Sequence, residues 1–244
     1  MRSLRGLVIK TTDIGEYDKL ITLLTGETGV ITARCTGVRR VKSKRLTAAS
    51  ELTYSEFALS ENRYGYSVDE ATAIEVFYGL RRDVETLALA QYLCELFAEF
   101  LTEGQPAHEP FRLLLNSLHL ICTGKKENAF IKAVAELRLL SDTGFMPQVV
   151  ACRVCGAYEA QRMYFDTRDG SIICEECNPQ GGFTQLTPAV LKAVRYIVLS
   201  DFDKLFSFTL PPSQLGVLGG LTQAYLLERT GRSFKALEFY KSLL

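Results

Sequence analysis

Four cysteines carry the clearest chemistry in this 244-residue sequence. Cys152 and Cys155 form one C-x-x-C pair and Cys174 and Cys177 a second, with eighteen residues between the pairs, a spacing that belongs to zinc sites. Gly156 follows the first pair, and Asn178 with Pro179 follows the second. Gly and Asn tolerate positive φ, so the sequence predicts two knuckles whose backbone N–H groups point at sulfur. The intervening "YEAQRMYFDTRDGSII" reads as two short strands around an Arg-Asp-Gly turn, folding the second pair back onto the first. Four thiolates fill a tetrahedral zinc and leave no position for water, so the predicted ion, one per chain, is structural. A redox C-x-x-C is expected beside a βαβ pattern, which the sequence lacks. Cys35, Cys94 and Cys122 stand among apolar neighbours and read as buried small hydrophobes.

Other chemistry is sparse. The phosphate loop, dinucleotide fingerprint, nucleophile elbow and H-E-x-x-H patterns do not occur. Of the two histidines, His108 lies in a Gly/Pro-bounded connection and His119 on an apolar helical stretch, where capping or core roles are expected. Asp201 and Asp203, with Lys204, allow an alternative reading as a two-carboxylate, magnesium-dependent nuclease site. The plainer reading is that they close a helix.

Charge is segregated. The net charge is zero, yet residues 1–50 carry ten Lys/Arg against four Asp/Glu, and residues 51–110 carry three against twelve. The run "ARCTGVRRVKSKRLTAAS" holds Arg34, Arg39, Arg40, Lys42, Lys44 and Arg45 with no acidic residue between Thr28 and Ser50. Such a run is either a solvated face or a polyanion-binding loop. Its position between two predicted strands favours a backbone-directed nucleic-acid contact, tolerant of base sequence. Tyr54, Phe57, Tyr64 and Tyr66 in the following strands are either stacking platforms or barrel core.

The elements that must position these residues are of two kinds. From residue 4 to about 78, short β-branched runs alternate with turn signals such as "IGEYD" and "TGETG", which predicts five strands and hence an OB barrel. After Gly79 come long Leu/Ala/Glu-rich runs that end at Gly, and these predict helices in a bundle. Thr187 followed by Pro188 marks a helix start. The predicted class is α+β and multidomain: an OB-fold domain over 1–79, a helical domain over 80–244, and a zinc-binding insertion over 149–182. No apolar run approaches the roughly 20 residues that span a bilayer, and no secretory h-region is present, so the sequence reads as a soluble intracellular protein. Seven cysteines, an odd count, fit that compartment better than a disulfide framework.

The opening "LRGLVIKTTDIGEYDKLITLLTGETGVITARCTGVRRVKSKR" resembles the N-terminal barrel of the bacterial recombination mediator family RecO, through its G-E-x-D-K-L turn and Gly-x-Arg-Arg loop. "AELRLLSDTGFMPQVVACRVCG" is similar to that family's helical domain and zinc segment. The resemblance implies a non-enzymatic, cytoplasmic and nucleoid-associated DNA-repair protein with no small-molecule substrate and no membrane partner. It implies binding of single- and double-stranded DNA, annealing of complementary strands, and joint action with RecR and single-strand-binding protein (SSB) in loading RecA. The family's DNA-binding positions fall on Arg39 and Arg40, with Lys42, Lys44 and Arg45 beside them. Some members lack the cysteines, which makes zinc a scaffold. The SSB C-terminal tail, acidic and aromatic, requires an apolar pocket edged by Lys or Arg on the helical domain. An RNA-binding, ribosome-associated factor is the remaining alternative, since barrels and zinc ribbons occur there too.

Overall fold

The computed structural model describes residues 2–63 and 65–244. These pack as two compact units, Met1–Thr123 with Phe234–Leu244, and Gly124–Ser233. The expected stacking candidate Tyr64 lies outside the described residues.

The first unit is built on strands β1 (Arg2–Ile14), β2 (Asp18–Thr25), β3 (Gly29–Cys35), β4 (Thr53–Asn62) and β5 (Gly65–Val76). They close into a barrel in the order β1-β2-β3-β5-β4, with β1 pairing β4. That is the five-stranded OB arrangement. Alternation drives it: in β3, Ile31, Ala33 and Cys35 point inward while Thr32 and Arg34 face out, and in β4 Phe57 and Leu59 are inside while Glu56 is exposed. Leu4, Val8, Ile21, Leu23, Phe57 and Val68 meet in the core. Antiparallel ladders make every seam except β3–β5, which is parallel and, among the described residues, pairs Ala33 with Tyr66 and Arg34 with Ser67. The β1–β2 turn, the end of β3 and the β4–β5 turn therefore share one end of the barrel.

Among the described residues, this unit also carries three α-helices: α1 (Val84–Phe100), α2 (His108–Thr123) and, from the far end of the chain, α6 (Lys235–Lys241). The Asp83 side chain caps α1 by accepting from the Thr86 N–H. Glu95 of α1 accepts from the Ala236 N–H at 3.0 Å, and Tyr92 meets Phe234 edge to face at 6.2 Å, which docks α6. The α1–α2 connection is tied to the β2–β3 turn by backbone hydrogen bonds. Val30 N–H donates to Leu101 O, Gly104 N–H to Thr28 O, and Ala107 N–H to Gly26 O. Gly29, at φ +65°, must be glycine, since a Cβ there would lie 2.1 Å from the Thr102 carbonyl oxygen.

The second unit holds α3 (Asn128–Asp142), α4 (Pro188–Leu199) and α5 (Pro212–Thr230), with a three-stranded sheet inserted between α3 and α4. Its strands are β6 (Met163–Asp166), β7 (Ser171–Cys174) and β8 (Thr184–Leu186), in the order β7-β6-β8. The β6–β7 hairpin turns at Arg168, Asp169 and Gly170, as the sequence predicts; β8 is a third strand that it does not. Thr187 caps α4 by accepting from the Val190 N–H at 3.2 Å, with Pro188 in the first turn. No helix among the described residues is long and apolar enough to cross a membrane.

Candidate metal centre and nucleic-acid interface

The hairpin brings the four cysteines together. Cys152 and Cys155 lie in the turn before β6, Cys174 ends β7, and Cys177 closes a short 3-10 turn over Glu175–Cys177. Their sulfurs all lie within 4.8 Å of one another, and Cys155 Sγ stands 3.6 Å from Cys174 Sγ. A tetrahedron with Zn–S bonds of about 2.3 Å needs sulfurs about 3.8 Å apart, so the spacing fits, and so does an all-thiol donor set. At the first knuckle Gly156 takes φ +75° and its N–H bonds Cys152 O at 2.9 Å. The second knuckle departs from expectation. Asn178 sits at φ −121°, not in the positive-φ region, because the 3-10 turn already reverses the chain and the Asn178 N–H bonds Glu175 O.

Electrostatics in the cluster point the same way. Burial pushes the Cys152 thiol up, but N–H groups of Cys155, Cys174 and Val154 more than offset this and hold it at about 6. Its hydrogen bond to Cys174 and burial push Cys177 up to about 12. Four thiols this close oppose each other's ionisation, and a divalent cation between them removes the opposition.

Arginines hold the hairpin in place. Arg153, between the first two cysteines, donates to Asp166 at 2.8 Å and to Ser171 at 3.1 Å, and also pairs with Asp169. Arg195 of α4 is buried under the hairpin's entry. Its guanidinium donates to the carbonyls of Val149, Val150 and Tyr158 at 2.8, 2.9 and 2.6 Å and stacks 4.0 Å from the Tyr158 ring. Nothing in the sequence around Arg195 marks it for this role, because its acceptors lie 37–46 positions away.

The basic run occupies the connection between β3 and β4. Val38 and Ala49 enter the barrel core and pin its base, while Arg39, Arg40, Val41, Lys42 and Lys44 are exposed at its tip. The structure divides the six cations. Arg34 is clamped by Asp18 at 2.6 Å, and Asp18 also accepts from the Gly37 N–H at 2.8 Å. That backbone hydrogen bond, with the Arg34 side chain, holds the Asp18 carboxyl below its usual range. Arg45 donates to Thr36 O at 2.7 Å, Val68 O at 2.7 Å and Asp69 O at 3.2 Å. Arg39 pairs with Asp13 at 3.3 Å. Arg40 lies over the Tyr17 ring, 5.3 Å from its centroid. Lys42 and Lys44 make no ion pair among the described residues. The tip therefore rests on the β1–β2 turn, to which it is tied by Arg39 N–H donating to Tyr17 O at 2.9 Å.

Two family models match the chain, one on either side of residues 78–80. The family described as Recombination protein O N terminal matches residues 1–77, and Recombination protein O C terminal matches residues 81–238. A DNA repair protein RecO from Acetivibrio thermocellus is 35% identical over 240 residues, covering 98% of this chain and 95% of that protein. Another, from Alkaliphilus metalliredigens, is 30% identical over 240 residues, covering 98% of each. The chain belongs to the RecO family.

The remaining candidates of this RecO-family chain fall away from any shared site. His108 is the exposed first residue of α2, and His119 is exposed on α2, 3.2 Å from Glu75 and outside the core. Asp201 is exposed and 3.5 Å from Lys204; neither Asp201 nor Asp203 enters a metal-competent cluster among the described residues. Cys35 and Cys94 are buried and Cys122 is half-buried. Of the aromatics, Phe57 is core, Tyr66 packs against the core, and Tyr54 meets Phe111 edge to face at 6.1 Å. Among the described residues, the exposed ring at the basic end belongs to Tyr17, inside the "IGEYD" turn signal of the sequence.

Proposed function

We propose that this RecO-family chain is a non-enzymatic recombination mediator that binds single- and double-stranded DNA, anneals complementary strands, and works with RecR and the SSB tail to help load RecA onto SSB-coated DNA. The observation that carries the reading is the exposed cationic tip formed by Arg39, Arg40, Lys42 and Lys44 at the loop end of an OB barrel. Cations on a surface loop neutralise phosphates and leave base edges free, which is what annealing requires. No nucleotide is needed, since the sequence has no phosphate-binding loop.

In this reading residues 1–79 contact DNA and residues 80–244 serve protein partners, with the insertion at 149–182 holding one structural zinc through Cys152, Cys155, Cys174 and Cys177. The zinc, when bound, supplies cross-linking of the hairpin and no reaction chemistry. An apolar groove of about 290 Å³ beside α4, lined by Tyr196, Phe208 and Leu210 with Lys192 at its edge, meets the requirement of an acidic, aromatic SSB tail. The protein would act in the cytoplasm, at the nucleoid. The test is annealing of complementary SSB-coated strands by the purified protein without nucleotide. Acceleration that disappears in a Lys42→Ala/Lys44→Ala variant is the expected result; no acceleration by the wild type refutes the reading.

A further inference from the structure

Most barrel aromatics considered above serve packing, and Tyr17 does not. It sits at the tip of the β1–β2 turn, 42% exposed, with the Arg40 guanidinium carbon 5.3 Å from its ring centroid. Its surroundings are fixed on both sides: its own carbonyl accepts from the Arg39 N–H, and the next residue, Asp18, clamps both Arg34 and the Gly37 N–H. The Tyr17 backbone is therefore fixed, its side chain meets Glu16 and Arg40, and the residue stays exposed to solution. A cation beside it is placed to meet a neighbouring phosphate.

Every nucleobase offers a π face, so an exposed ring within a cationic surface binds unpaired bases whatever their identity. A duplex buries those faces in its own stack and cannot use the ring. We infer that Tyr17 is a stacking platform for an unpaired nucleobase and makes this end of the barrel prefer single strands over duplex. The inference rests on the reading that the basic loop meets the nucleic-acid backbone. Lys42 and Lys44 would hold the strand by its phosphates, and Tyr17 would hold one base out of the solution without reading it.

The experiment compares three labelled probes by fluorescence anisotropy: a short oligothymidine, a deoxyribose-phosphate strand of the same length without bases, and a duplex. Wild type should bind oligothymidine at least about 5-fold more tightly than the abasic strand, given that stacking on one ring is worth roughly 5- to 150-fold. Tyr17→Ala should lose that advantage and keep its affinity for the abasic strand and the duplex. Tyr17→Leu, which preserves bulk under Arg40 without a π face, should behave likewise, and Tyr17→Phe should match wild type. Equal weakening on all three probes would mean that the ring only props Arg40, and an unchanged preference for oligothymidine would mean that no base stacks there; either overturns the inference alone. A Lys42→Ala/Lys44→Ala variant that binds the abasic strand as well as wild type overturns the loop reading, and the inference with it.

Discussion

Replacing Lys42 and Lys44 together with alanine removes two of the cations that the loop holds out to solution, and the salt dependence of single-strand binding measures what is lost. Each phosphate neutralised on a single strand contributes about −0.7 to the slope of log K against log salt. Six contacts from the run would give about −4, and affinity would fall roughly 300-fold between 50 and 200 mM salt. The structure argues for fewer. Arg34 is held by Asp18 at 2.6 Å and Arg45 by three carbonyls. Arg39 meets Asp13 and Gly15 O at 3.3 Å on the open surface, where a phosphate can replace them, so Arg39, Arg40, Lys42 and Lys44 remain. Four contacts give a slope of about −2.8 and a loss of about 50-fold over the same range. The double variant should then show about −1.4 and a loss of about 7-fold, whereas Arg34→Ala should leave the slope unchanged. Fluorescence anisotropy of labelled oligothymidine at several salt concentrations decides it. A wild-type slope near −4 would show that Arg34 and Arg45 leave their partners for DNA, and an unchanged slope in the double variant would remove the loop from the interface.

Three further outcomes are expected. Elemental analysis of protein purified without chelator should give one zinc per chain; Cys174→Ser should abolish it and lower the melting temperature, because structural zinc supplies about 10 kcal/mol or more of apparent binding free energy. Arg195→Ala should destabilise the Gly124–Ser233 unit by about 3 kcal/mol in chemical denaturation, since three carbonyls around the hairpin's entry lose a charged donor. Asp18 has a folded pKa below its ordinary 3.8, so its contribution is fully present above about pH 4 and is lost as pH falls through the lower folded value. Protection of the Gly37 amide, its exchange rate set against the intrinsic rate at the same pH, should fall below that pH in wild type, and Asp18→Asn should remove most of that change.

Local signals carried much of this. Alternation and turn residues were enough for five strands before Gly79, and two C-x-x-C pairs were enough for the cluster, because both patterns act over a few positions. Pairings across long separations were not legible. Nothing in β3 or β5 says that they meet in parallel over two residues, and nothing near Arg34 says that Asp18, sixteen positions earlier, will neutralise it. The same holds for Arg195 and its distant carbonyls. Composition marked helices after residue 80, but not that α1, α2 and α6 would pack with the barrel, since that depends on which apolar faces meet. Tyr17 carries no sequence signal of its own, because a turn motif accounts for its neighbours.

The parallel seam between β3 and β5 is the barrel's shortest, and Arg45 crosses it, reaching Thr36 O on one side and Val68 O and Asp69 O on the other. One side chain thus acts as a rivet where the strands supply few rungs. The same residue closes the basic run, so the mouth of the barrel keeps a set width at the foot of the loop whose exposed tip carries Arg39, Arg40, Lys42 and Lys44. A substitution at Arg45 would be felt first as a gap in the wall, with amides of the β3–β5 seam exchanging early, and only second as a missing charge.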